Sequence, residues 1–424
     1  MKNINRILAV LGAGAVLDFD YDYNGKKKPT TAYITSVVAN QKLPDLDDDE
    51  TNVIRIIYDK IVDLSKAEYK RFHPFVKNYE PSLSFEDLFE VIETLHSYSR
   101  TWKHEHYPFS LISALVHSDL DFMPGVYHRA MVAIIKAIIE IVGDYDEKFK
   151  EIGREEWYKE FWKAFEGRID VFNFNYDTTI ENSLENYVDG FVPTLSAYQR
   201  FEPEVLWKAD ANIATVNHLH GCILYADPNP QSTEFYYSHR DLYKFKSAKD
   251  VDDLLLYKIW LPQNQVGDTI YYSPIITGLK KTDKICYMPH NFYHANLAKK
   301  IIENPSLLIC GYSFGDLYVN QLLQRHKLIH DKNERVVVID QWPLCVNEDN
   351  VRLYRHFIDK TTGGFKEYVE RINEGGIEPS EIFRRFIQIS DGCWESPNGV
   401  FRLYTKGMKD AVENHRNELL SFLL

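Results

Sequence analysis

With 424 residues, 45% hydrophobic and 26% charged, the chain has the makings of a folded globular protein: one large domain with insertions, or two domains. A formal net charge of −13 argues against sequence-independent nucleic-acid binding, which needs Lys and Arg to neutralise phosphates. The five cysteines (Cys222, Cys286, Cys310, Cys345, Cys393) form no C-x-x-C pair, which excludes a cysteine zinc ribbon and suits a reducing cytoplasm.

Nothing approaches a run of 18 apolar residues, so no membrane span is expected, and Ile7–Leu11 is too short and too closely followed by Asp18 and Asp20 for a signal peptide. Arg6–Leu11 predicts a short buried strand, followed by Gly12-Ala13-Gly14-Ala15 and a loop to Pro29. Within that loop Lys26-Lys27-Lys28 reads as solvated. Thr30 and Thr31 can cap a helix from Ala32. The acidic run Asp45–Glu50 reads as exposed and lacks the spaced ligands and turn glycine of a calcium loop.

Residues 50–165 read as helical. Ser84 and Asp87 resemble a capping box before Leu88, Ile92 and Leu95. Met131, Ile134, Ile135, Ile138 and Val142 recur at helical spacing, with Gly143 as a candidate end. Trp157, Phe161, Trp162 and Phe165 form an aromatic stripe suited to a core, while His96, His104 and His106 read as a surface helix end. After Gly167 the pattern changes to strands at Ile169–Phe174, Ile213–Leu219, Leu307–Cys310 and Val336–Ile339, with a helix over Asp316–Ile329. Alternating strands and helices predict a parallel α/β sheet. The tail reads as mixed, ending in an amphipathic helix over Lys409–Leu424.

Four of these strands end in residues suited to ligands, and in open α/β sheets ligands bind outside the carboxyl ends of the strands. Gly12-Ala13-Gly14-Ala15 offers side-chain-free backbone N–H groups for a pyrophosphate, and also suits a plain tight turn. Asn173-Phe174-Asn175-Tyr176-Asp177 ends a strand in groups that need partners, and Asp177 could equally cap the next helix. His218 and His220, two apart on a strand, would share one face; they lack a third ligand at metal spacing, and packed structural histidines account for them as well. Gly311-Tyr312-Ser313-Phe314-Gly315-Asp316 suits a nucleotide-binding turn, or a hydrolase elbow with Ser313 as nucleophile.

Taken in order, Gly12-Ala13-Gly14, Asn175-Tyr176-Asp177, His220-Gly221, Gly311-Tyr312-Ser313 and Asp340 resemble the strand-end motifs of the sirtuin family, over roughly residues 5–340. The resemblance implies a Rossmann-like parallel sheet that binds NAD⁺ as substrate and cleaves its nicotinamide–ribose bond. It implies catalytic roles for Asn175 and His220, phosphate contacts from Gly12, Ala13 and Gly14, a nicotinamide contact from Asp177, and adenosine contacts from Gly311, Ser313 and Asp340. Asp316 would cap its helix. The chain departs from deacylase sirtuins in lacking the zinc module's two C-x-x-C pairs, so no zinc is expected.

The long helical stretch, Pro274–Leu279 and Pro289-His290-Asn291-Phe292-Tyr293 look like the bacterial defence-associated branch. That resemblance implies NAD⁺ hydrolysis to nicotinamide and ADP-ribose during phage infection, a homo-oligomer, and a HerA-type ATPase as partner; a protein deacylase and a non-catalytic ADP-ribose sensor are the alternatives. The expected layout is 1–44 as the first part of the Rossmann-like domain, 45–166 as a helical insertion, 167–344 as the rest of that domain, and 345–424 as a mixed C-terminal region.

Overall fold

All five residues of β1 (Ile7–Leu11) are buried, as a strand flanked on both sides by parallel neighbours must be. The structure, a computed structural model, describes residues 6–19, 28–43, 45–72, 81, 83–100, 124–151, 153, 155–228, 241–255, 273–278, 281–330, 333–341, 387–396 and 399–424. After β1 come α1 (Thr31–Asn40), α2 (Asp48–Phe72), α3 (Phe85–Arg100), α4 (Pro124–Phe149) and α5 (Glu156–Lys163). Then follow β2 (Ile169–Asn173), β3 (Tyr187–Val188), β4 (Phe191–Pro193), β5 (Gln199–Phe201), α6 (Pro203–Trp207) and β6 (Ala214–His218). Next are β7 (Tyr225–Ala226), β8 (Tyr243–Lys244), α7 (Ala248–Asp252), α8 (Lys281–Lys284), α9 (His290–Glu303), β9 (Ser306–Cys310), α10 (Leu317–His330) and β10 (Arg335–Ile339). The last described elements are β11 (Ile387–Ser390), β12 (Cys393–Glu395), β13 (Phe401–Tyr404) and α11 (Met408–Leu423).

Among the described residues the main sheet runs β11-β12-β13-β10-β9-β1-β2-β6-β3. It is parallel from β13 to β3, with β12 and β11 added antiparallel at one edge. A smaller antiparallel sheet, β4-β5-β8-β7, lies apart from it. The expected parallel α/β architecture is therefore present, with a helical segment between β1 and β2.

Alternation along each strand builds two cores. Leu8, Val10, Phe172, Leu307, Ile309, Val336 and Val338 pack with apolar residues of α1 to α4. Ile7, Ala9, Leu11, Val171, Leu308, Val337 and Ile339 pack with α5 and α11, where Phe161, Trp162 and Phe165 are fully buried. The aromatic stripe is thus core, as its spacing predicts.

At the sheet's amino edge Asp170, fully buried, accepts a bidentate pair from Arg6 at 3.0 and 2.9 Å. Thr215 at 2.8 Å and Asn304 at 3.0 Å complete its shell. Burial alone would raise its pKa, but Arg6 outweighs burial and the carboxyl sits below its ordinary value. Arg6 also donates to the carbonyls of Ile169 and Ile213, so one guanidinium ties β1 to β2 and to the entry of β6.

Local signals succeed where the partner is near in sequence. Ser84 and Asp87 form the expected capping box, with Asp87 N–H donating to Ser84 Oγ at 3.2 Å and Ser84 N–H to Asp87 at 2.8 Å. Thr30 caps α1 through Tyr33 N–H at 3.2 Å.

Three expectations are corrected. The run Asp45–Glu50 is exposed, as read, at Asp45, Asp47, Asp48 and Asp49, but not at its end: Asp47 and Glu50 form a capping box that opens α2, the buried Glu50 pairs with Arg129, and Asp45 pairs with the buried Lys136. Gly143 does not end its helix. Carrying α4 on to Phe149 places Tyr145 and Phe149 against Phe19, and this burial outweighs the ~1 kcal/mol that a mid-helix glycine costs. His96 is buried beside His128 rather than exposed at a helix end; His104 and His106 lie outside the described residues. No described helix is long and apolar enough to cross a membrane.

Candidate active site

The chain runs outward from β1 through β2 to β6, then returns to β9 on β1's other side and continues to β10. This reversal between β1 and β9 is the topological switch point where doubly wound sheets open a crevice at their carboxyl ends. A cavity of about 660 Å³ lies there, within the ~300–1,000 Å³ range of small-molecule sites. Gly12 and Ala13 follow β1, Asn175, Tyr176 and Asp177 follow β2, His220 follows β6, and Gly311, Tyr312, Ser313 and Asp316 follow β9; all line it. Residues far apart in sequence thus converge on one space.

The glycine loops interlock. Gly12 N–H donates to Cys310 O at 2.9 Å and Gly14 N–H to Gly311 O at 3.0 Å. Gly311 is left-handed (φ 55°), and a Cβ there would lie 2.1 Å from Gly14 C. The expectation that all these N–H groups are free for phosphate therefore needs correction. Those of Gly12 and Gly14 are spent on the neighbouring loop, and Gly14 stands outside the cavity lining. The glycines are needed because two strand-end loops pack backbone to backbone. Ala13, whose N–H has no such partner, is the loop residue left facing the cavity with Gly12.

The two histidines part company, because β6 ends at His218 and the chain turns before His220. His218 is fully buried, with Nε2 2.9 Å from Glu181 and Nδ1 3.2 Å from Asn175 O. Burial disfavours its charge, but Glu181 more than compensates and its pKa is raised; Glu181, likewise buried, is drawn down to about 2 by His218 and Lys244. Both ring nitrogens face acceptors, the Glu181 carboxylate and the Asn175 carbonyl, so the ring donates from both and fixes the Asn175 main chain. Asn175 itself donates from Nδ2 to Gly12 O at 3.1 Å.

His220 instead faces the cavity, 3.2 Å from Asp316 Oδ2 and edge-on against Phe174. Its main chain is clamped by Ile276 N–H at 2.8 Å and by the bridge between Gly221 and Ile275. Gly221 (φ 92°) is obligatory there, since a Cβ would lie 1.9 Å from Pro274 O. The Pro274–Gly278 segment thus positions His220; Leu279 lies outside the described residues.

Asp177 is buried and accepts from the Thr179 N–H at 3.1 Å and from its hydroxyl. It steadies the turn after β2 while also lining the cavity, but it caps no helix: the next element is a 3-10 turn over Glu181–Ser183 whose N-cap is Ile180. Behind it Asp146, on the last part of α4, accepts from Thr178 N–H at 2.9 Å. Burial first, and then the Asp177 carboxylate, push Asp146 up to about 7. Burial raises Asp177 as well.

A carboxyl whose folded pKa lies above its unfolded value holds its proton more tightly in the folded state, so its contribution to stability falls as pH rises from about 4 through about 7. Asp146→Asn removes that loss. The melting temperature of the variant is expected to gain on the wild type steadily between pH 5 and pH 8; a constant difference across that range would refute the assignment.

Several lining groups carry no sequence signal. Lys28, read as solvated, lines the cavity and donates to Leu17 O; Lys26 and Lys27 lie outside the described residues. Lys281 and Glu86 pair at 3.0 Å at the rim, joining α8 to α3. Tyr312 stacks on Phe174 with centroids 4.7 Å apart. The N-termini of α1 and α10 both open on the cavity through Thr30, Thr31, Leu317 and Tyr318, which favours an anionic ligand. Only three-dimensional proximity marks these residues.

Ser313 is exposed on the cavity wall, and the left-handed residue of its turn is Phe314 (φ 56°). The histidines that a serine hydrolase would need are engaged elsewhere: His326 with Glu334, His330 with Ile301 O, His415 with Asp391 O. His356 lies outside the described residues. Asp340 sits at the end of β10, its Oδ1 accepting from Gln341 N–H at 2.8 Å, one strand beyond Gly311 and outside the cavity lining.

Among the described residues one group has metal-ligand composition and spacing: Glu181, His218 and Cys222, all buried. Lys244 Nζ already stands 3.7 Å from Glu181 and close to Asp189 at 2.5 Å. In this arrangement the Glu181 carboxylate is held by His218 and Lys244.

The fold and the site together define a parallel α/β protein with a nucleotide-type crevice at its switch point. A family model described as a SIR2-like domain matches residues 170–357. The matched span includes Asn175, Asp177, His220, Gly311, Ser313 and Asp340, and it begins after the Gly12-Ala13-Gly14 loop. The match supports a sirtuin-like family and an NAD⁺-related activity, since SIR2-like domains use NAD⁺. No curated protein matches the chain.

Proposed function

We propose that the chain is an NAD⁺ glycohydrolase that releases nicotinamide and ADP-ribose. The observation that carries this reading is that Asn175 and His220, from neighbouring strand ends, open on the same cavity as the interlocked glycine loops.

Breaking the nicotinamide–ribose bond builds positive charge on the ribose carbon, and nicotinamide departs with the bonding electron pair. A water supplies the new C–O bond and gives up one proton. In this reading His220 accepts that proton or one from a ribose hydroxyl, and Asn175, held by His218 and Gly12, orients the attacking group. Asp177 faces the carboxamide. Gly12 and Ala13 shape the phosphate wall, Gly14 braces their loop against Gly311 from behind, and Lys28 and the N-terminus of α1 offset phosphate charge. Gly311, Ser313 and Asp340 are assigned to the adenosine half. We place this activity in anti-phage defence by NAD⁺ depletion, within a homo-oligomer partnered by a HerA-type ATPase, on the sequence resemblance alone.

Purified protein incubated with NAD⁺, alone and with the ATPase, is expected to release nicotinamide and ADP-ribose in equal amounts. An acetylated peptide in the same mixture is expected to stay acetylated. Its deacetylation with stoichiometric nicotinamide release would replace hydrolysis by the deacylase reading, and intact NAD⁺ under both conditions would favour a nucleotide sensor.

A further inference from the structure

We infer that Asp316 is the positioning residue of His220, fixing its tautomer and orientation, so that the turn after β9 serves the reacting end of the substrate as well as the nucleotide. This rests on the reading of His220 as the base.

The geometry divides the Asp316 carboxylate in two. Oδ1 accepts from Val319 N–H at 3.0 Å and so caps α10. Oδ2 stands 3.2 Å from His220 Nε2. Because the helix holds one oxygen, the other is aimed at the ring without freedom to turn away. The turn is stiffened further where Asn320 donates to Phe314 O at 2.6 Å and Tyr312 Oη reaches Asn320 at 3.3 Å. Tyr312 stacks on Phe174, and Phe174 meets the His220 ring edge-on at 4.7 Å. The imidazole is thus gripped by an aromatic column and a carboxylate, all supplied by the ends of β2 and β9.

Burial raises the Asp316 pKa, but the hydrogen bonds from His220 and Val319 outweigh it and leave the carboxyl at about 2. An ionised carboxylate can only accept, so Nε2 carries the proton and the lone pair lies on Nδ1, which makes no hydrogen bond among the described residues. Two further histidines near His220, among the described residues, come from α9. Burial and neighbouring histidines lower His290 to about 3 and His294 to about 4, so both are neutral. Asp316 is therefore the charged neighbour that sets the tautomer of His220.

Asp316→Asn keeps the helix cap and removes the charge. In ¹⁵N-histidine NMR spectra, with the His220 signal assigned by its loss in His220→Gln, the wild type is expected to show the Nε2–H tautomer. In Asp316→Asn the population is expected to shift toward Nδ1–H. In NAD⁺ turnover kcat is expected to fall about a hundredfold with KM within about twofold. An unchanged His220 tautomer in the folded variant overturns the inference. The NMR measurement needs no NAD⁺: if the coupling is present and the wild type leaves NAD⁺ intact, it is the hydrolase reading that falls.

Discussion

His220→Ala is expected to leave the chain folded and to lower nicotinamide release by about 10²–10⁴, the usual worth of a positioned general base. The fold survives because His220 lies past the end of β6, contributes no strand pairing through its side chain, and gives up only its contacts with Asp316 and Phe174. Asp316 keeps its bond to Val319, so α10 stays capped. Asn175→Ala is expected to have a comparable effect on rate, with a stability cost of about 1 kcal/mol for the lost bond to Gly12 O. Circular dichroism would report the fold, and chromatography of the NAD⁺ reaction the rate. Full turnover in both folded variants would remove Asn175 and His220 from the chemistry.

Gly311→Ala is expected to cost heavily in stability. A side chain at φ 55° is strained by roughly 1–2 kcal/mol. The new Cβ would also sit 2.1 Å from Gly14 C and 2.2 Å from Ala15 N, backbone atoms that cannot step aside as a flexible side chain can. Overpacking adds about 1–3 kcal/mol, so a loss of about 2–5 kcal/mol is expected in urea or thermal unfolding. Because Gly14 bonds to Gly311 O, spreading the loops would disturb the cavity wall, and KM for NAD⁺ is expected to rise. Gly315→Ala is the control: its Cβ would meet only Ser313 Oγ, at 3.5 Å, and it is expected to unfold like the wild type. Equal stability of the two variants would contradict the interlocked-loop account.

Particular residues show where sequence reading reached and where it stopped. Apolar runs bounded by turn residues located β1, β2, β6, β9 and β10 within a residue or two at each end, because burial on both faces of a parallel strand leaves a plain hydrophobic signature. Caps at Thr30 and Ser84 were legible because donor and acceptor lie three residues apart. Gly143, His96 and the end of the run Asp45–Glu50 were misread because their surroundings come from distant segments: Phe19 and Tyr158 near the end of α4, His128 beside His96, and Arg129 and Lys136 against the acidic run.

The cavity residues divide in the same way. Strand-end composition alone pointed to Gly12, Ala13, Asn175, Asp177, His220, Gly311 and Ser313, which the switch point between β1 and β9 gathers around one space. A two-residue spacing could not say which histidine faces that space, because the end of β6 falls between them and sends His218 to Glu181 and His220 to Asp316. Nor could it say that the glycine N–H groups bond to each other's loops, or that Lys28, Lys281 and Tyr312 join the wall. Residue order by itself determined the sheet, its strand ends and the residue types placed there. Tertiary structure alone decided their partners, because hydrogen bonds, burial and charge pairing depend on distances of a few ångströms between segments up to 300 residues apart, such as Gly12 and Gly311.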